Sequence, residues 1–154
     1  MSGDGSKLLL ISGYNFDDED QALSSVQLLS TEGPKKEVFY PSLSRLAAAV
    51  TLETGAVVVT GGLGSENQVW IKPSTSDVTW SRGKDMFEGR KGHAAGIAKL
   101  DEIEVVVVAG GWGILDQELN SVELYRQDQD QWTSRPSMCK PRVDFALKVG
   151  IQGL

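Results

Sequence analysis

A chain of 154 residues with 40% hydrophobic and 23% charged residues is sized for one globular domain, and its apolar residues recur too regularly for a disordered one. The formal net charge of −6 opposes sequence-independent contact with nucleic acid or an anionic membrane, both of which need clustered positive charge. A single cysteine, Cys139, excludes an intrachain disulfide and a multi-cysteine metal site. No apolar run approaches the ~20 residues that span a bilayer, and Leu8 to Ile11 is too short for the core of a secretory leader. The expectation is a soluble, cytoplasmic protein.

The first predicted element, Lys7 to Ile11, is a short apolar run stopped by Ser12-Gly13, which reads as a strand. An acidic loop follows from Tyr14 to Asp20. Ser25 to Leu29 and Glu37 to Tyr40 read as strands flanking a turn at Glu32-Gly-Pro-Lys35. A second unit opens at Arg45 with Leu46 to Val50, turns at Glu53-Thr-Gly55 and rises through Ala56 to Thr60 into Gly61-Gly62. Gln68 to Lys72 and Val78 to Trp80 then flank a turn of Pro73 to Asp77. The third unit repeats this order: Arg90, His93 to Ala98, a turn at Asp101-Glu102, Ile103 to Ala109, Gly110-Gly111, Ser121 to Tyr125, a polar turn, and Gln131 to Thr133. Arg142 then precedes Phe145 to Val149, predicted as a last strand. No stretch keeps a helical period, so the chain is predicted to be all-β.

The second glycine of each strand end falls at Gly13, Gly62 and Gly111, which are 49 residues apart in both intervals (62 − 13 and 111 − 62). A fixed interval of this size marks a repeat protein. Glycine is suited to the strand ends because it tolerates close backbone approach and positive φ.

With Arg90, His93, Gly110-Gly111, Ser121-Val-Glu-Leu-Tyr125 and the Tyr125 to Trp132 spacing in view, the chain resembles the kelch family of β-propellers. The second repeat keeps Arg45, Gly61-Gly62 and Trp80 but has Lys72 at the tyrosine position; the first has Ser12 in place of a glycine. The resemblance implies a kelch-type β-propeller with three four-stranded blades. Residues 7–44 would be a blade lacking its inner strand, 45–89 and 90–139 the second and third blades, and 140–154 a closing strand. Propellers close with four to eight blades, so two chains are expected to form a six-bladed ring by homodimerisation, each tail completing the partner's first blade in trans.

The resemblance further implies a non-catalytic protein-protein interaction module that binds a protein or acidic peptide on one face of the ring. Its binding residues would be Tyr14, Leu63 and Trp112 after the glycines and Arg45, Arg90 and Arg142 before the inner strands. Guanidiniums suit carboxylates through paired hydrogen bonds, although these arginines can instead cap strands or pair with Asp144, Glu88 or Glu53. The alternative is a propeller fragment, natural or engineered, whose main property is self-assembly.

Catalysis lacks a residue set. One histidine and one cysteine do not make the ligand cluster of a copper-radical oxidase, and no Gly-x-Ser-x-Gly accompanies His93. The glycine pairs are not followed by a helix that would make them phosphate cradles. An EF-hand frame from Asp17 would place Ala22 at its glycine and Leu28 at its bidentate acid. No cofactor, no metal and no enzymatic activity are expected.

Overall fold

The computed structural model describes residues 8–14, 22–30, 33–38, 45–73 and 79–150, and every regular element among them is a β-strand. β1 (Leu8–Tyr14), β2 (Ala22–Ser30) and β3 (Gly33–Val38) pair antiparallel in that order. β4 (Ala48–Thr51), β5 (Val57–Thr60), β6 (Val69–Lys72) and β7 (Ser81–Arg82) form a second antiparallel sheet. β8 (Ala94–Leu100), β9 (Ile103–Ala109), β10 (Val122–Arg126) and β11 (Gln131–Arg135) form a third.

The valine runs explain the middle strands. All four residues of β5 are buried, so apolar groups are needed on both of its faces and the run is continuous rather than alternating. Val58 turns one way and joins Val69, Ile71, Val106, Val108, Tyr125 and Trp132 in a core shared by the second and third sheets. Val57 and Val59 turn the other way, against Ala47, Trp70 and Trp80. Each fully buried valine contributes roughly 1.5–3 kcal/mol of transfer free energy. Between β8 and β9, Asp101 and Glu102 both take positive φ, 49° and 65°, the mirror-image geometry that matches strand twist in a two-residue hairpin.

The glycine pairs serve close approach. Gly61 and Gly110 have φ of 61° and 62°, and a Cβ on them would collide with the carbonyl oxygens of Arg90 and Arg142 respectively. A Cβ on Gly111 would lie 2.7 Å from the Lys91 carbonyl and 2.8 Å from the His93 Cβ. Side chains at these positions would push away the segments that cross the strand ends.

The architecture corrects the kelch-type propeller. The two four-stranded sheets are separate: no ladder of strand pairs joins them, and each is open, with β4 and β7 at the edges of one and β8 and β11 at the edges of the other. They do not curl into a ring, so the kelch resemblance, the three-bladed fold and the six-bladed homodimer are replaced by an all-β chain of open antiparallel sheets. The physical reason is that glycine-terminated strands, hairpin turns and an aromatic pair are local requirements of an antiparallel meander. Each sheet meets them internally, and they carry no information about closure around an axis.

The tail is corrected too. Residues 145–149 form no strand and lie against their own chain: Leu147 and Val149 approach Gly96 of β8, and the Phe145 ring approaches Gly110. Gly111 N–H donates to the Arg142 carbonyl at 2.8 Å, anchoring the start of this segment in cis. Elsewhere β7 falls at Ser81–Arg82, after Thr79 and Trp80, while Val78 of the predicted strand lies outside the described residues, and β3 absorbs the predicted turn residues Gly33, Pro34 and Lys35. The acidic stretch from 15 to 20 lies outside the described residues.

Candidate binding surface

Where β5 and β9 end, the two glycine loops and three crossing segments are knitted together by main-chain hydrogen bonds. Gly62 N–H donates to the Arg90 carbonyl at 3.0 Å, Leu63 N–H to Arg45 at 2.9 Å and Gly92 N–H to Leu46 at 2.9 Å. Lys91 and Trp112 exchange bonds of 2.9 and 2.7 Å, and Asp144 N–H donates to Gly92 at 2.9 Å. The sequence places glycine where these backbones cross, so this end of the sheets is a braced platform and not a set of independent loops.

The predicted site residues take different places on it. Leu63 and Trp112 are half-buried, with the Trp112 ring edge over Gly92, and Arg142 is exposed. Arg45 is half-buried and engaged. Tyr14 closes β1, where it pairs in register with Ala22. Arg90 does not reach the surface. Its side chain is 0% exposed, and its guanidinium donates to Glu123 at 2.6 Å, to the Gly110 carbonyl at 2.8 Å and to Ser121 Oγ at 3.1 Å.

Glu123 in turn accepts the backbone N–H groups of Phe87 and Glu88 at 2.9 and 3.2 Å, and Glu88 accepts from the Ser121 hydroxyl. A ligand carboxylate has no access to Arg90, so it does not join Arg45 and Arg142 in a shared binding set. The propeller-face binding function falls with it, since there is no ring to provide the face. Glu123 sits inside the strand motif as a buried acid on an apolar strand; that placement was the sign that an internal cation would find it.

His93 is the second buried polar group at this junction. Its Nε2 is hydrogen-bonded to Thr60 Oγ1 at 2.8 Å, and the Thr60 hydroxyl also lies 3.5 Å from the Ala48 carbonyl. Nδ1 has no partner. Burial first, and the nearby Arg90 charge second, push the imidazole down to about 3. It is a neutral ring that links β5 to the strand after Arg90, and its titration is suppressed near neutral pH. Among the described residues no three His, Cys, Asp or Glu side chains group to hold a metal.

The surface feature that motif reading missed is Ile114-Leu115. Ile114 is 64% exposed and Leu115 86% exposed, yet the loop carrying them is tightly tied. Gly113 N–H donates to the Gln117 carbonyl at 2.8 Å, Asp116 N–H to the Gly113 carbonyl at 3.0 Å, and Leu115 N–H to Gln117 Oε1 at 3.1 Å. Asp116 takes φ of 58° and pairs with Lys91 Nζ at 2.6 Å. An apolar dipeptide in a polar stretch with no strand period was the available signal. No protein-family model and no curated protein sequence matches the chain.

Proposed function

We propose that the chain is a non-catalytic binding domain whose contact element is the loop from Trp112 to Glu118, offering Ile114 and Leu115 to an apolar pocket on a protein partner. The observation that carries this reading is two large aliphatic side chains held out in water on a hydrogen-bonded loop, where water contact costs free energy and the loop's own bonds already restrict its freedom. Such residues act as anchors when a partner desolvates them. The half-buried Trp112 supports the base of the loop, and the Lys91–Asp116 pair borders it with charge.

A photo-crosslinking residue at position 115, compared with the same residue at exposed Ser134 on β11, tests the proposal in an extract of cells that express the protein. A discrete protein adduct formed only from position 115, and lost on Ile114→Ser, supports it. Equal adducts from both positions, or none from 115, overturn it.

A further inference from the structure

At the opposite ends of the strands, a cleft of about 850 Å³ lies between the end of β4 and the β8–β9 hairpin. Its apolar wall is Leu52, Ile97, Leu100 and Val149. Leu100 and Val149 are 40% and 37% exposed, so apolar surface is left facing this space. The mouth holds three carboxylates, Glu53, Glu102 and Glu104, against one ammonium, Lys99.

Two of those acids are already positioned. Glu104 Oε2 accepts the Glu53 backbone N–H at 2.7 Å, which holds its carboxylate at the cleft. Glu53 pairs with Lys99 at 2.7 Å, and that hydrogen bond together with the Glu53 charge raises the Lys99 ammonium above its ordinary value. The charges of Glu104 and Glu102 raise it further, so the three acids share one ammonium and the lining keeps a net charge of −2 (one Lys against three Glu). The β8–β9 hairpin also places Glu102 at the mouth through a positive-φ position that glycine or asparagine would occupy more easily. β4 is a sheet edge beside it, able to lie alongside an extended chain.

We propose that this cleft receives a lysine or arginine side chain from an extended segment of a partner protein. The methylene stem lies on Leu52, Ile97 and Val149, and the cationic head meets Glu102 and Glu104. A long stem ending in a positive charge fits an apolar wall with an acidic mouth, because burying the stem gains hydrophobic free energy while the head stays at the solvent boundary. A carboxylate in the same place would meet the net negative charge of the lining, and a purely apolar side chain would leave that charge unused.

The cleft is distinct from the Ile114-Leu115 loop, so either site can fail alone. Hexylammonium chloride serves as the probe for the side chain, with hexanol and sodium hexanoate as controls, each followed by backbone amide chemical shifts of the whole chain. The expected result is saturable shifts confined to residues 51–53, 97–104 and 149–150 for hexylammonium, with hexanol and hexanoate at least fivefold weaker by the loss of charge pairing. Glu102→Gln, whose side chain carries no internal pair needed for folding, is expected to weaken hexylammonium severalfold with an unchanged thermal transition. Equal binding of hexanol and hexylammonium, unaltered affinity in Glu102→Gln, or no shifts at the cleft would each overturn the proposal.

Discussion

The β4–β7 and β8–β11 sheets follow the same plan, and they differ most at one pair of positions. Tyr125 of β10 faces Val106 of β9 in register, and Lys72 of β6 faces Val57 of β5 in the corresponding place. Tyr125 is directly across from Trp132, with ring centroids 4.9 Å apart. Its hydroxyl donates to Asp130 Oδ1 at 2.6 Å, and Trp132 Nε1 donates to the Lys84 carbonyl at 2.8 Å. Asp130 also accepts the Lys84 N–H at 2.7 Å.

The aromatic pair therefore clamps its own hairpin and ties it to the segment after β7. In the sheet with Lys72, the outer strand shrinks to Ser81–Arg82, and Trp80 falls outside it, half-buried on the other face of β5. The longer outer strand is the one that carries the cross-strand aromatic pair, in keeping with the stabilisation such pairs give the ladder they span.

The largest predicted effect breaks this comparison at its stronger side. Trp132→Ala removes a buried ring and is expected to cost about 3–5 kcal/mol in denaturant unfolding, while Trp80→Ala, at a half-buried position, is expected to cost clearly less. Equal losses would mean that the two sheets are held alike. Comparable in size, Glu123→Ala leaves the buried Arg90 guanidinium without its carboxylate and is expected to cost about 3–5 kcal/mol. An Arg90→Met/Glu123→Leu double replacement, which removes both charges, is expected to recover much of that loss.

Acid gives the next effect. The His93 imidazole titrates at about 3 when folded and near 6.5 when unfolded, so below pH 6.5 the unfolded chain binds the extra proton. Stability from this group is fully present above pH 6.5 and falls as pH drops toward 3, with a slope approaching ~1.4 kcal/mol per pH unit. His93→Gln should flatten that slope across this window in pH-dependent unfolding; an unaltered slope would place the acid sensitivity elsewhere.

Smaller still, Tyr125→Phe keeps the ring and loses the bond to Asp130, at a cost of about 1 kcal/mol. Asp130, whose carboxyl is held below its usual range first by that bond, should then titrate higher. Leu115→Ser, at an exposed loop tip, is expected to change stability by less than about 0.5 kcal/mol. Thermal unfolding separates it cleanly from the core changes.

Strand composition, glycine punctuation and the 49-residue spacing were enough to place Ile103–Ala109 to the residue and to pair the valine runs with their hairpin turns, because these depend on neighbours in the chain. The same local signals stopped short at three places. Arg90 reads from the sequence either as a ligand-binding guanidinium or as the partner of an acid such as Glu88; the fold sets Glu88 at 3.7 Å but gives the close pairing, inside, to Glu123, 33 residues away. Phe145 to Val149 has the apolar content of a strand but forms none, and its side chains pack on β8. Ile114-Leu115 carried no motif and stayed unnoticed. The all-β character, the repeated strand order and the need for glycine at the strand ends follow from the sequence by itself, since backbone sterics and hydrophobic periodicity act over a few residues. Whether the sheets close, which charges are neutralised inside and which apolar groups stay in water were decided only by the tertiary structure. Each of these depends on contacts between segments far apart in the chain, where burial and desolvation outweigh any local preference.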